Sequence, residues 1–230
     1  MYYTPNAQNV PLFEGKKEAN ISGALAMALQ SRGINVQVAY APVNHLGIMC
    51  NYHYWGAKWS GSSPWYDEGS HKGSLIELGA GYFTKLDERM VVETYAGFGW
   101  FATQNTYPYN KSSEMRGYRY FIQAATGWHF KAITIGPSLR VVGMYYRELE
   151  YIYIHNNDPD SRFQALIDNP FLVYLEPGFV LRTGGEKIKF QAQINISFPT
   201  QNSDVLWDPV SISVGMFIPI RPKKIDKNGK

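Results

Sequence analysis

The feature that most constrains the fold of this chain is a strict alternation of apolar and polar residues, repeated in stretches of about 10 to 15 residues. From Ile188 to Phe198, every second residue is apolar and the residues between are Lys, Gln, Asn or Ser. Such a period predicts a strand with one apolar and one polar face. The predicted strands are 19–29, 34–41, 47–59, 74–83, 90–103, 115–129, 132–148, 171–182, 188–198 and 210–218.

Strand length favours a membrane barrel over a soluble one. Strands of soluble sheets usually have about 5 to 6 residues, whereas a tilted membrane strand needs about 9 to 11. No apolar run approaches the roughly 20 residues of a membrane-spanning helix. Lipid leaves a closed barrel as the other way to satisfy backbone hydrogen bonds. We therefore predict an all-β, antiparallel, up-and-down transmembrane barrel of about ten strands, with a soluble β-barrel as the alternative.

The connections between the predicted strands alternate in length, which predicts their side of the membrane. Long polar segments follow the third, fifth, seventh and ninth strands, at 60–73, 104–114, 152–170 and 200–209. Tight turns follow the even-numbered strands from the second to the eighth, at 44–47, 86–89, 130–131 and 184–187. The first connection, 31–33, is a short member of the long set. Longer extracellular loops and short periplasmic turns are typical of the bacterial outer membrane, where we expect this protein.

The two ends of the chain lack the alternation. Residues 1–16 contain Pro5 and Pro11 without periodicity, and we expect an irregular periplasmic leader outside the barrel. The barrel itself is predicted to occupy residues 17–220, and residues 221–230 form a basic tail.

Composition excludes several classes of function. The net charge of +3 is scattered along the chain, which argues against nucleic-acid binding. Cys50 is the single cysteine, and the five histidines have no spacing that assembles a metal site, so no metal or cofactor is expected.

Charged residues on the polar face predict the state of the lumen. A ten-stranded barrel is only slightly wider than an eight-stranded one, whose side chains fill its interior. Because an unpaired buried charge is costly, we expect the glutamates to find Arg or Lys partners and to plug the lumen. A narrow ion path or a proton relay is the alternative. The predicted network comprises Glu77, Glu93, Arg119, Arg140, Glu176, Arg182 and Lys189.

Aromatic residues in the long loops are candidates for recognition, because Trp and Tyr are enriched in contact hot spots. The candidate loop contacts are Trp65, Tyr66, Tyr107, Tyr109, Phe163 and Trp207. Phe163, Leu166 and Ile167 have helical spacing, which predicts a short amphipathic turn over the mouth.

Short phrases of sequence at 3–11, 15–20, 39–43, 77–82, 93–97 and 176–178 resemble those of the small outer-membrane β-barrel proteins of Bacteroidota, many of them lipoproteins. The resemblance covers nearly the whole chain and includes no catalytic motif. It implies a lipidated cysteine immediately before the first phrase, and Met1 stands near that place. The tail after Ile220 departs from the usual ending on a strand aromatic.

These observations favour a non-enzymatic outer-membrane barrel with a plugged polar lumen, acting as a structural or binding component and a candidate subunit of a larger envelope complex. Expected partners are outer-membrane lipid or lipopolysaccharide and other envelope proteins. A narrow channel for small solutes is the second hypothesis. A surface hydrolase resembling omptins is the third, and its candidate rim residues are Asp67, Glu68, His71, His155, Asp158 and Asp160.

Overall fold

A computed structural model describes residues 2–59, 69–107, 111–152, 161–201, 205 and 207–222. The alternating segments form antiparallel strands that follow one another around a closed wall. The strands are β1 (Ala19–Ala28), β2 (Arg32–Val43), β3 (Leu46–Trp59), β4 (Gly69–Lys85), β5 (Met90–Tyr107), β6 (Lys111–His129), β7 (Ile133–Ile152), β8 (Phe171–Gly184), β9 (Lys189–Ile196), β10 (Phe198–Pro199) and β11 (Val210–Ile220).

Each strand pairs with its neighbours in sequence, and β1 pairs with β11 from Ala19↔Ile220 to Ala28↔Ser211 to close the barrel. Both β9 and the two-residue β10 pair with β8, so they form a single barrel strand interrupted at Ser197. The result is the predicted ten-stranded antiparallel barrel.

The two faces of the wall differ as the alternation predicts. Outward side chains such as Leu25 and Ile122 are 70% and 65% exposed, and they surround the barrel as an apolar band. Inward side chains such as Glu77 and Arg119 are fully buried. A hydrocarbon-facing exterior around a polar interior is the pattern of a membrane barrel.

Strands β4 to β7 extend beyond the bounds predicted from the sequence. β4, β5, β6 and β7 have 17, 18, 19 and 20 residues, well beyond the roughly 9 to 11 that cross a membrane. The prediction of a long loop at 104–114 is therefore wrong, because residues 104–107 of β5 pair with residues 111–114 of β6. The four strands rise as a wall beyond the apolar band at the long-loop end.

The first residues of the chain do not lie outside the barrel, contrary to our expectation. Every residue from Tyr2 to Phe13 is buried, and their contacts are with the lumen face of the wall. We call residues 2–13 the plug. Polar groups of the wall bind the irregular backbone of the plug, which is why a segment without periodicity is stable there.

Helix α1 (Ser161–Asp168) confirms the predicted short helical turn and lies over the long-loop mouth. Its Phe163 and Leu166 are buried in one cluster with Tyr2. Among the described residues, no helix is both long and apolar enough to span a bilayer. Of the predicted basic tail only Arg221 and Pro222 are described, and the rest lies outside the described residues.

Candidate functional site

The plug runs along the lumen from the long-loop mouth to the short turns. At the mouth, Tyr3 forms a bridge with Trp207, and the amide of Asp208 donates to the Tyr3 carbonyl at 3.0 Å. At the other end, the Phe13 ring lies 5.5 Å from that of Phe83, near the end of β4. Twelve extended residues reach about 40 Å, which is enough to cross the whole barrel.

Amide side chains of the wall bind the backbone of the plug. Gln37, Gln123 and Gln193 donate to the carbonyls of residues 7, 9 and 8 at 2.8, 2.7 and 3.0 Å respectively. Arg182 donates to the Val10 carbonyl at 2.7 Å, and Asn20 to that of Pro11 at 2.9 Å. The polar lumen face thus replaces the partners that a neighbouring strand would supply.

A cluster of four charged side chains surrounds the middle of the plug. Arg119 donates to Glu77 at 2.6 Å and to Glu176 at 3.2 Å. Arg140 donates to Glu176 at 2.7 Å and lies 3.8 Å from Glu77. The two acids and two bases cancel in charge. Each buried ion therefore has an oppositely charged partner, without which its burial would be costly. We call these four residues the charge cluster.

The wall places these ions opposite one another through its register. Arg140 and Glu176 are direct partners on β7 and β8. Glu77 and Arg119 are both paired with Gly99 of the strand between them. A Cβ atom at that glycine would lie only 2.9 Å from Cγ of Glu77, so the missing side chain keeps the space between acid and base open.

Asn6 joins the plug to the charge cluster with both ends of its amide. Its Nδ2 donates to Glu77 at 2.7 Å, and its Oδ1 accepts from Arg119 and from Arg140, each at 2.7 Å. An amide is suited to this position because it offers donors to a carboxylate and an acceptor to guanidinium groups. Tyr3 adds a second link, since its hydroxyl donates to Glu176 and accepts from Arg119 at 2.9 Å.

The other predicted network residues are not part of this cluster. Glu93 accepts from the amide of Leu12 at 2.8 Å instead of an Arg or Lys. Arg182 binds Gln191 at 2.7 Å, and its guanidinium lies 3.8 Å from the Phe217 ring centre. Lys189 donates to Thr134 at 3.3 Å. The structure therefore brings together four of the seven predicted residues and ties Glu93 and Arg182 to the plug backbone.

A Ser, a His and an Asp meet at the mouth, but their order is not that of a hydrolase. Ser31 donates to Asp208 at 2.7 Å and lies 2.9 Å from Nε2 of His71. The serine thus donates to the carboxylate, whereas the serine of a hydrolytic triad donates to the histidine. Thr4 of the plug also donates to Asp208 at 2.9 Å, so this group fastens the plug. Asp67, Glu68, His155, Asp158 and Asp160 lie outside the described residues.

The candidate loop contacts have different surroundings. Phe163 lies on the buried face of α1 and is 1% exposed, so the predicted contact role of this residue is wrong. Trp207 is half-buried and donates from its ring to the Ser197 carbonyl at 3.2 Å. Tyr107 is half-buried at the end of β5. Trp65, Tyr66 and Tyr109 lie outside the described residues. Within the described part of the chain, no three His, Cys, Asp or Glu side chains are grouped to hold a metal.

Residues of the plug were missed as partners of the charge cluster, although the sequence carried a signal. Residues 1–13 contain no charged residue but do contain Asn6, Gln8 and Asn9. An aperiodic leader exposed to water would usually be richer in charge. Uncharged amides that can both donate and accept suit a lumen whose wall supplies the charges.

Comparison with known proteins identifies the fold only. No family model and no curated protein matches the chain. The translocator domain of autotransporter NalP from Neisseria meningitidis is similar in structure, with a TM-score of 0.50 and 11% identity over 91% of this chain and 90% of that one. The outer membrane protease OmpT from Escherichia coli gives 0.46 and 10% over 92% and 97%. The KdgM porin gives 0.40 and 11% over 88% and 99%.

The closed antiparallel wall, the apolar outer band and the polar interior together define a bacterial outer-membrane β-barrel.

Proposed function

We propose that this protein is a non-enzymatic outer-membrane barrel, closed to solutes by its own plug, that serves as a structural or binding component of the envelope. The observation that carries the proposal is the burial of every residue from Tyr2 to Phe13 within the lumen. A diffusion pore needs a continuous water path, and here a peptide chain lies along that path.

The energetics of the charge cluster favour a closed resting state. Withdrawal of Asn6 would take away one hydrogen bond to Glu77 and one to each of Arg119 and Arg140. Loss of partners by buried charged groups costs about 1 to 3 kcal/mol for each group until water replaces them. Together with the backbone contacts from Gln37, Gln123 and Gln193, these bonds oppose release of the plug.

We infer that partners bind at the long-loop end of the barrel. The wall formed by β4 to β7 rises beyond the apolar band there and presents outward-facing charges at Arg116, Arg147 and Glu148. Such a mixed polar surface suits a contact with another envelope protein.

Single-channel recording in planar bilayers tests the closed lumen. The wild-type protein is expected to give no steady ionic current. A variant in which residues 2–13 are replaced by a Gly/Ser segment of the same length keeps the chain connected but loses the side chains that hold the plug. We expect this variant to conduct.

Replacement of residues 223–230 by Gly and Ser is the matched control and should leave the barrel silent. Heat-modifiable migration on gels verifies that each variant has formed a barrel. Steady wild-type currents would overturn the closed-lumen model, and a hydrolytic activity abolished by His71→Ala would overturn the non-enzymatic one.

A further inference from the structure

On the outer face of the barrel, apolar side chains are replaced by cationic ones two outward-facing positions further along the strands. Tyr52, Trp100 and Tyr118 lie in one outward-facing row across β3, β5 and β6, joined by the pairs Tyr52↔Ile76↔Trp100↔Tyr118. Two rows further toward the loops, the paired residues are Gly56, Lys72, Gln104 and Glu114. Aromatic side chains mark the headgroup level of a membrane barrel, so the row that contains Lys72 lies where the lipid headgroups begin.

The length of the apolar band agrees with that level. On β4, Tyr82 faces outward near the short turns and Lys72 faces outward ten residues away. At about 3.3 Å per residue and a tilt of about 40°, these residues are separated by about 25 Å across the membrane. This is the usual height of the apolar band, so Lys72 lies at its extracellular edge.

Three cations meet at this edge around a residue that has no side chain. Gly56 is paired with Arg32 on one side and with Lys72 on the other. Lys58 faces outward two residues further along β3. With strands about 4.8 Å apart, the Cα atoms of Arg32 and Lys72 are about 10 Å apart, with the glycine between them. The three cations and Gly56 line an open concavity of about 440 Å³.

The cations of this concavity differ from Arg116 and Arg147, the outward-facing arginines of β6 and β7, in having no acid partner among the described residues. Arg116 lies 3.8 Å from Glu148, and Arg147 lies 4.0 Å from the same carboxylate. None of Arg32, Lys58 and Lys72 forms an ion pair with a described residue. The acid nearest along the row, Glu114, already accepts from Gln104 at 3.0 Å and lies 3.9 Å from Arg116.

We propose that Arg32, Lys58 and Lys72 bind a phosphate group of an outer-leaflet lipid in the concavity over Gly56. Ser70 and Thr106 also line it and offer hydroxyl donors to phosphate oxygens. The apolar band directly below, with Ile34 and Tyr54, would contact the acyl chains of the same molecule. A lipid fits this position better than a free anion, because the concavity opens at the boundary between headgroups and hydrocarbon. The proposal is independent of whether the lumen conducts.

Native mass spectrometry of the detergent-solubilised barrel tests this site. The probes are diphosphoryl lipid A, the same lipid without its phosphates, and inorganic phosphate. The wild type is expected to retain diphosphoryl lipid A, and the variant Arg32→Gln/Lys58→Gln/Lys72→Gln should retain at least tenfold less. The matched control Arg89→Gln/Lys131→Gln/Lys187→Gln removes three positive charges from exposed residues of the short turns and should bind like the wild type.

Heat-modifiable migration establishes that all three proteins are folded barrels. Equal retention by the two triple variants would overturn the proposal, because net charge alone would then explain binding. Equal retention of phosphorylated and dephosphorylated lipid would also overturn it. Displacement of the lipid by millimolar inorganic phosphate would assign the concavity to a free anion and overturn the choice of a lipid.

Discussion

At the scale of single residues, Asn6 decides how the plug meets the wall. Its amide is the single side chain of the plug that contacts Glu77, Arg119 and Arg140 together. A carboxylate there would repel Glu77, and an apolar side chain would leave three buried charged groups without one partner each. An amide satisfies both signs of charge without adding to either.

Replacement of this residue gives the first prediction. Asn6→Leu keeps a similar volume but removes the hydrogen bonds to the charge cluster, and should lower the free energy of unfolding by about 3 to 5 kcal/mol. Urea unfolding in detergent, followed by tryptophan fluorescence, measures the change.

Asn169→Leu is the matched control, because Asn169 is an exposed amide after α1 and a surface substitution should change stability by less than about 0.5 kcal/mol. Equal effects of the two substitutions would contradict the role given to Asn6.

The second prediction concerns Glu14, which follows the plug at the short-turn end. Its carboxylate lies 2.7 Å from Arg221 and 3.3 Å from Lys85. Burial raises the pKa of Glu14, but the charges of Arg221, His129 and Lys85 outweigh it and hold the pKa below the usual 4.5. A lowered pKa stabilises the folded state above the unfolded pKa, and this contribution is lost as pH falls through the folded pKa.

Wild type should therefore be more stable than Glu14→Gln at pH 7, and the difference should shrink below about pH 4. Urea midpoints at pH 7 and pH 3 test this. Glu186→Gln, in the exposed turn after β8, is the control and should show a smaller difference at pH 7. A gap between wild type and Glu14→Gln that is equally large at both pH values would refute the assignment.

At the scale of elements, the sequence predicts the ten strands but not how far β4 to β7 extend beyond the membrane. Inside the membrane the outward face must be apolar, so the alternation is visible in the sequence. Above the membrane the outward residues become Lys72, Gln104 and Glu114, while the backbone ladder continues unchanged. Periodicity of hydrophobicity ends there although the strand does not, and this is why 104–114 resembled a loop.

The plug was missed for a related reason. A segment inside a polar lumen contacts the wall on all sides, so it needs no period, and its partners lie as far away along the chain as Asp208, which binds Tyr3 and Thr4. The paired charges of the wall were predictable from their face, but their link through Asn6 was not. The wall and its charged residues could therefore be predicted from the sequence, whereas the plug at the centre of the barrel could not.

The third prediction tests the fit between plug and wall. A Cβ atom at Gly127 of β6 would collide with the side chain of Leu12. Gly127→Val should destabilise the barrel by about 1 to 3 kcal/mol, and Leu12→Ala should relieve part of that cost in the double variant.

A double-mutant cycle on unfolding free energies measures this coupling. Gly23→Val is the control, because Gly23 is exposed and a Cβ there meets no atom within 4 Å. Strict additivity of Gly127→Val and Leu12→Ala would mean that the two positions are not in contact.

At the scale of the whole molecule, the plug places the two ends of the described chain at opposite mouths. Tyr2 lies beneath α1 at the long-loop mouth, where its ring is 6.4 Å from that of Phe163. Arg221 lies beside Glu14 near the short turns. The chain therefore crosses the membrane region once inside the barrel before the wall begins.

This path gives the fourth prediction. An epitope tag placed directly before Met1 should be accessible to antibody on intact cells, because that end leads toward the extracellular mouth. A tag after Lys230 should become accessible only after the outer membrane is permeabilised. The reverse labelling would contradict the assigned direction of the plug.

The position of the plug also bears on how the barrel is assembled. Tyr3 and Gln8 contact residues 173 and 185 positions later in the chain, so the plug, which precedes the wall in sequence, finds partners only when the last strands are present. If the barrel closed first, the twelve residues of the plug would have to thread into a lumen that is no wider than their side chains. Wrapping the wall around them requires no threading. The seam between β1 and β11 is thus the natural last step of folding, and it closes over a segment that is already in place.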